Sequence, residues 1–171
     1  MTARRDRKST KFATLSIALT ALLSCGSGSS LEGSLSDQTS LAFDAVRVEH
    51  SPQAVAVIYL RSLPAGGGQD TVLKVVATTT GLDLTKAVSI DLAEPLNGGP
   101  AVRGAVTRAV SGDGRSDFPP IVRGKLSFDG PVVAGQHASG HFSATFGQGG
   151  SIGQGRTAFG DFSATATEAG Q

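Results

Sequence analysis

"VRGKLSFDG", residues 122–130, is the stretch on which the fold turns. Val122, Leu126 and Phe128 alternate with Arg123, Lys125, Ser127 and Asp129, and Gly124 falls in phase with the apolar set. A two-residue period sends successive side chains to opposite faces of an extended chain. The stretch therefore reads as a strand with one face in a core and the other in water. It ends in Asp129-Gly130-Pro131, which is turn chemistry. The alternation recurs in "AVSIDLAE" (87–94), where Val88, Ile90 and Leu92 oppose Ser89 and Asp91. "AVAVIYL" (54–60) is apolar throughout and suits a strand buried on both faces. "TVLKVVATTT" (71–80) is β-branched and similar.

Between these runs lie "PAGGGQD" (64–70), "LNGGP" (96–100) and "SGDGRSD" (111–117). Glycine supplies positive φ there, and Asn and Asp tolerate it. No stretch after residue 40 keeps a 3.6-residue period for three turns. About eight strands result, near 40–49, 53–62, 70–80, 84–93, 101–110, 121–129, 137–147 and 156–167. Regular strands and tight turns predict an all-β domain over residues 41–171, an antiparallel β-sandwich, with a small closed β-barrel as the alternative.

One repeat lies inside this domain. "ASGHFSATF" (138–146) and "AFGDFSATA" (158–166) share six of nine residues at an offset of 20. Solenoids need at least three units, so two copies around "GQGGSIGQG" (147–155) read as the arms of a hairpin. Alternation puts Phe142, Ala144 and Phe146 on one face of the first arm. Phe162, Ala164 and Ala166 share a face of the second. A turn centred on Ile152 sets Phe142 opposite Phe162 and leaves Phe159 pointing outward.

The first 24 residues are different in kind. Arg4, Arg5, Arg7, Lys8 and Lys11 face a single acid, Asp6, and Phe12 to Leu23 carry no charge. A basic start and a short apolar run make a secretory signal peptide, read here as a helix preceding the domain. Twelve helical residues span about 18 Å, short of the roughly 30 Å hydrocarbon core. The twin arginine at 4 and 5 is followed by Asp-Arg-Lys rather than apolar residues, so the twin-arginine route is set aside.

Leu22-Leu23-Ser24-Cys25 ends this run, and Cys25 is the only cysteine in the chain. The tetrad resembles the lipobox of bacterial lipoproteins. The resemblance implies that Cys25 receives a diacylglycerol, that the signal peptide is cut just before it, and that the new amine is acylated. Several acyl chains anchor firmly where one does so marginally. In that family an aspartate after the cysteine favours inner-membrane retention; Gly26 stands there, which implies the outer membrane. The Gly-x-Phe-Ser-Ala pattern of the repeat is similar to the closing strands of β-rich bacterial lipoproteins, a likeness that carries no activity with it.

Residues 25–40 then read as the lipidated cysteine and a flexible Gly/Ser tether, "GSGSSLEGSLSDQTS", with a reach of roughly 20 Å. Cleavage before Cys25 removes five basic residues and one acid, turning the +1 of the full chain into about −3. A slightly acidic domain without aromatic–basic interleaving has no electrostatic reason to bind nucleic acid. With Cys25 acylated no disulfide forms, so the core alone must hold the domain.

Candidate chemistry is sparse. His137 and His141 are four apart, but on a strand that separates the rings by roughly 13 Å, too far to share a zinc ion. His50 has no visible partner. Gly149-Gly150-Ser151-Ile152-Gly153 matches G-x-S-x-G, yet a strand follows instead of a helix and no histidine comes later. Asp113 and Asp117 flank Arg115, a cation where a calcium loop needs oxygen. Tyr59 and the absence of tryptophan leave few aromatic faces for sugars. No catalytic residues, metal or cofactor are therefore expected. The expected function is a non-catalytic lipoprotein of the cell envelope, with an interaction or structural role toward an envelope protein. The alternative is a carrier holding an apolar ligand inside a barrel, which would need a cavity of several hundred Å³.

Overall fold

The computed structural model describes residues 28–64 and 67–170. The proposed signal helix, Leu22, Leu23, Ser24 and Cys25 lie outside the described residues. Eight strands are present: β1 (Ala45–His50), β2 (Ala54–Ser62), β3 (Gln69–Thr78), β4 (Val88–Asp91), β5 (Gly104–Ala109), β6 (Ile121–Phe128), β7 (His137–Phe146) and β8 (Thr157–Glu168). Each answers to one expected from the alternation. The domain is all-β, and the described residues contain no α-helix.

The strands form one sheet in the order β4-β6-β7-β8-β1-β2-β3-β5, curled nearly into a barrel. The all-β domain expected from the alternation is present, and of its two expected forms the sheet lies nearer the barrel. One pair, β1 with β8, is parallel; the other neighbours are antiparallel. The edges meet at Leu92, whose N–H donates to the Gly124 carbonyl on β6 and whose carbonyl accepts from Gly104 N–H on β5 at 2.8 Å. Gly104 is required there: a Cβ would sit 2.6 Å from Leu92 Cβ.

The interior is packed. Val48, Val57, Tyr59, Leu73, Leu126, Phe142 and Phe162 are all nearly inaccessible to solvent. Tyr59 is the hub, with ring centroids 5.0 Å from Phe43 and 5.8 Å from Phe142. Its phenol donates to the Asp161 carbonyl, and burial pushes its pKa well above the usual range. β2 is buried on both faces, as its composition predicts. Val55, Val57 and Tyr59 face inward, while Ala56, Ile58 and Leu60 form a small outer cluster. Ile58 lies between Arg47 and Lys74 on the neighbouring strands, whose aliphatic stems can cover it while their charges reach Glu49.

Two sequence expectations about β6–β8 need correction. Val122 is 61 % exposed, not in the core with Leu126 and Phe128. Ile121 pairs with Phe146 and Arg123 with Thr145, so Val122 is the extra residue of a bulge. A bulge breaks the period of two and turns one side chain outward. The hairpin register is also shifted. Phe142 lies opposite Gly160, and Phe162 opposite Gly140, rather than opposite each other. Facing is preserved because the shift is even. Each ring then lies across from a residue with no side chain. A Cβ on Gly140 would collide with the Ser127 carbonyl and come within 2.8 Å of Phe162. Phe159 is exposed, as expected.

Candidate functional site

The stretch expected as a tether is part of the domain. From Ser30 on it runs antiparallel along the free edge of β8. Ser30 N–H donates to the Asp161 carbonyl (2.9 Å), and Glu32 and Phe159 exchange both backbone bonds (2.8 and 2.9 Å). The serines that made this stretch look like a linker serve as side-chain clamps. Ser29 Oγ accepts from Ser163 N–H (3.1 Å), and Ser30 Oγ accepts from Asp161 N–H while donating to its carboxylate (3.0 Å). Ser34 Oγ accepts from Thr157 N–H (3.0 Å).

A single 3-10 turn, Ser34–Asp37, then carries the chain across one end of the barrel. Leu31, Leu35 and Leu41 are buried there, Leu35 completely. Their transfer from water holds the segment in place, each fully buried aliphatic side chain contributing about 1.5–3 kcal/mol. The flexible-tether expectation fails for residues 30–40 because composition averages over Leu31 and Leu35.

The segment is also pinned by charge. Arg108, only 4 % exposed, points from β5 into the capped end. It donates to Thr39 Oγ1 (2.9 Å), to Asp113 Oδ2 (2.7 Å) and to the Arg115 carbonyl (3.1 Å). Its Nε has no partner. Arg115 grips the same carboxylate and reaches the Gln38 carbonyl. These hydrogen bonds, from Arg115 and then Arg108, hold the Asp113 carboxyl far below the usual range. Arg156 pairs with Asp37 (2.7 Å), and Gln38 Oε1 accepts from Gly153 N–H (2.8 Å). Beside this knot, Asp70 accepts from Ser111 N–H and Arg61, and its pKa is lowered in turn. A shallow groove of about 550 Å³ runs past Asp70, Arg108, Ser111 and Asp113. Its charges are already paired, Asp70 with Arg61 and Arg108 with Asp113.

The opposite end of the barrel is covered by loops alone, with Val132 buried and Leu82 and Leu84 packed against the core. A groove of about 360 Å³ lies between the β1–β2 turn (His50, Ser51, Pro52), the loop after β3 (Leu82, Leu84) and Val132 and Val133. It is surface, distinct from the filled interior that a buried ligand would have to share.

The remaining candidates from the sequence do not converge. His137 and His141 both lie on the outer face of β7; the first meets Ser163 Oγ at 3.3 Å, and the second faces Asp161 across the strand pair. Ser151 Oγ bonds to the backbone of Asp117 (3.2 and 3.3 Å), fastening the β7–β8 turn. Asp113 belongs to the arginine knot. Among the described residues no group of three His, Cys, Asp or Glu side chains is placed to hold a metal ion, and no helix is long and apolar enough to cross a membrane. The Arg108 knot was missed in the sequence. Arg108 falls in phase with Gly104 and Val106, so the alternation placed a cation on the inner face, and that was the available signal. Comparison with family models, curated proteins and solved structures finds no match to this chain.

Proposed function

We propose that this chain is a lipoprotein of the cell envelope, anchored through acyl chains on Cys25, whose β domain has an interaction or structural role and no catalysis. The observation that carries the reading is Leu22-Leu23-Ser24-Cys25 at the end of a basic-then-apolar leader. The fold is consistent with it: Ser29 and Ser30, only a few residues after that cysteine, are already hydrogen-bonded to β8. Gly26 favours the outer membrane. The packed interior favours this reading over a carrier with a ligand inside the barrel. Cys25→Ala tests it. Expressed in a bacterium with lipoprotein processing, the parent should yield an N-terminal peptide bearing acyl mass on Cys25 and fractionate with membranes. The variant should stay uncut before residue 25 and lose the acyl mass. Acyl-dependent membrane partitioning of the variant overturns the proposal.

A further inference from the structure

We infer that Asn97 is a modification site: it deamidates without an enzyme, and its isoaspartyl product loosens the hairpin that closes the barrel. The inference is independent of the acylation of Cys25.

Asn97 is the only asparagine in the chain, and Gly98 follows it. The pair sits at the tip of a hairpin running from Leu92 to Gly104. One arm continues β4 and the other leads into β5, so the hairpin joins the two edges of the sheet. Gly104 N–H donates to the Leu92 carbonyl and Arg103 N–H to the Glu94 carbonyl, each at 2.8 Å, and Leu96 N–H donates to the Ala101 carbonyl at 2.7 Å. The Arg103 side chain adds an ion pair with Glu94 (2.7 Å). Gly99 N–H then donates back to the Leu96 carbonyl (2.9 Å), closing a tight turn with Asn97 and Gly98 at its centre. Both central residues have positive φ, 52° and 69°. Glycine adopts that conformation freely, and asparagine does so more readily than other side chains.

The two reacting groups are free. Asn97 and Gly98 are exposed. Among the described residues, neither the Asn97 carboxamide nor the Gly98 N–H makes a hydrogen bond. A Cβ built on Gly98 meets nothing within 4 Å, so no side chain shields its nitrogen from attack geometry or from solvent. A shallow groove of about 240 Å³, lined by Thr78, Thr80, Glu94 and Arg103 among others, brings water to Asn97.

The chemistry needs only water. The Gly98 nitrogen, after losing its proton to solvent base, attacks Asn97 Cγ. The new N–Cγ bond forms, the Cγ–Nδ2 bond breaks, and Nδ2 leaves as ammonia with protons from water. Water then opens the five-membered imide. Cleavage of the N–Cγ bond gives aspartate in an unaltered chain. Cleavage of the original peptide bond gives isoaspartate, with the main chain rerouted through Cβ and Cγ. That product lengthens the turn by one methylene, under the bond from Gly99 to Leu96. It also places a new carboxylate beside Glu94. The arms then no longer meet in register at the tip, and the seam at Leu92 and Gly104 opens more often.

The full-length protein is warmed in mildly alkaline buffer, folded or in urea, and digested with trypsin at intervals. The peptide Ala87–Arg103 holds Asn97 and no glutamine, so a mass gain equal to the difference between an amide and an acid reads this residue alone. Its aspartyl and isoaspartyl forms are separated by chromatography. Conversion in the folded chain should run within about tenfold of that in urea, because an exposed turn opens at little cost. Asn97→Gln should convert at least about tenfold more slowly, since the longer side chain meets the nitrogen less often in attack geometry. A folded chain that stays unconverted while the urea sample converts overturns the site, as does an Asn97→Gln variant as fast as the parent. Amide exchange reads the seam. Leu96 and Gly104 should exchange at least about tenfold faster in the isoaspartyl fraction than in Asn97→Asp, which carries the charge without the extra methylene. Equal exchange in the two overturns the loosening.

Discussion

The two ends of the barrel are built on opposite plans. One is closed by a segment from the far N-terminal side of the domain, which brings three leucines and a set of serine and arginine contacts to strands about 70 to 130 residues away. The other is left to the local loops after β1, β3 and β6, and there Leu82 and Leu84 stay partly exposed along an open groove. The same short sheet is therefore finished by long-range structure at one end and by turns at the other. A barrel end is a place where inward-facing side chains run out of partners, and something must cover them. Here the cover is a stretch whose composition resembles a linker.

The contrast can be broken by substitution, and the core between the ends sets the scale. Phe162→Ala should cost about 3–5 kcal/mol in denaturant melts, as truncation of a buried ring does, while Phe159→Ala should stay within about 0.5 kcal/mol. Next comes the cap: Leu35→Ala should cost about 2–5 kcal/mol. If it behaves like a surface change, residues 30–41 are not part of the cooperative unit and the two ends are alike. Arg108→Ala follows, at roughly 2–3 kcal/mol, because it strips charged hydrogen bonds from Asp113 and Thr39. Arg108→Lys should not restore the loss, since an ammonium cannot reproduce the planar fork.

Acid sharpens the same comparison. Asp113 and Asp70 have folded pKa values below those of an unfolded aspartate, near 3.9. In the window below that value the unfolded chain binds more protons than the folded one, so stability falls as pH falls. The contribution is fully present above about pH 5 and is lost progressively below about pH 4. Amide exchange should show Leu31 to Leu35 losing protection as pH drops through that range. Smallest of all, Leu82→Ala at the loop-covered end should cost under about 1 kcal/mol, since its side chain is only partly removed from water.

What was legible in the sequence follows a physical boundary. Local alternation exposes a strand wherever one face is wet, and residues such as Leu126, Phe128 and Ile90 announced theirs. The period fails at Val122 because a bulge is a property of two strands, not one. The β7–β8 register differs from the expected one by two because the turn is centred on Ser151 rather than Ile152. The observed register sets each ring, Phe142 and Phe162, across from a glycine, which leaves room for its volume. The parallel β1–β8 pair and the edge pairing of Ser30 and Glu32 connect distant residues and leave no local trace. The cap hid for another reason: three leucines among glycines and serines are too few to form a period. His137 and His141 lie on the outer face of β7 at the alternate positions that a two-residue period gives them, whereas the Arg108 knot is visible only once β5 and the 111–117 loop are placed together.

The pairing of the segment from Ser29 to Ser34 with β8 also governs when this domain can fold. Ser30 and Glu32 find their backbone partners near residue 160, and β1 finds a partner at Ala166 to Glu168. During synthesis neither contact exists until β8 has been made. Closing loops of more than 100 residues carries an entropic cost that is repaid only afterwards, which places such topologies in the millisecond-to-second range of folding times. A chain emerging N-terminus first therefore stays uncapped and incompletely closed until β8 arrives, and the last strand made completes the first part of the domain.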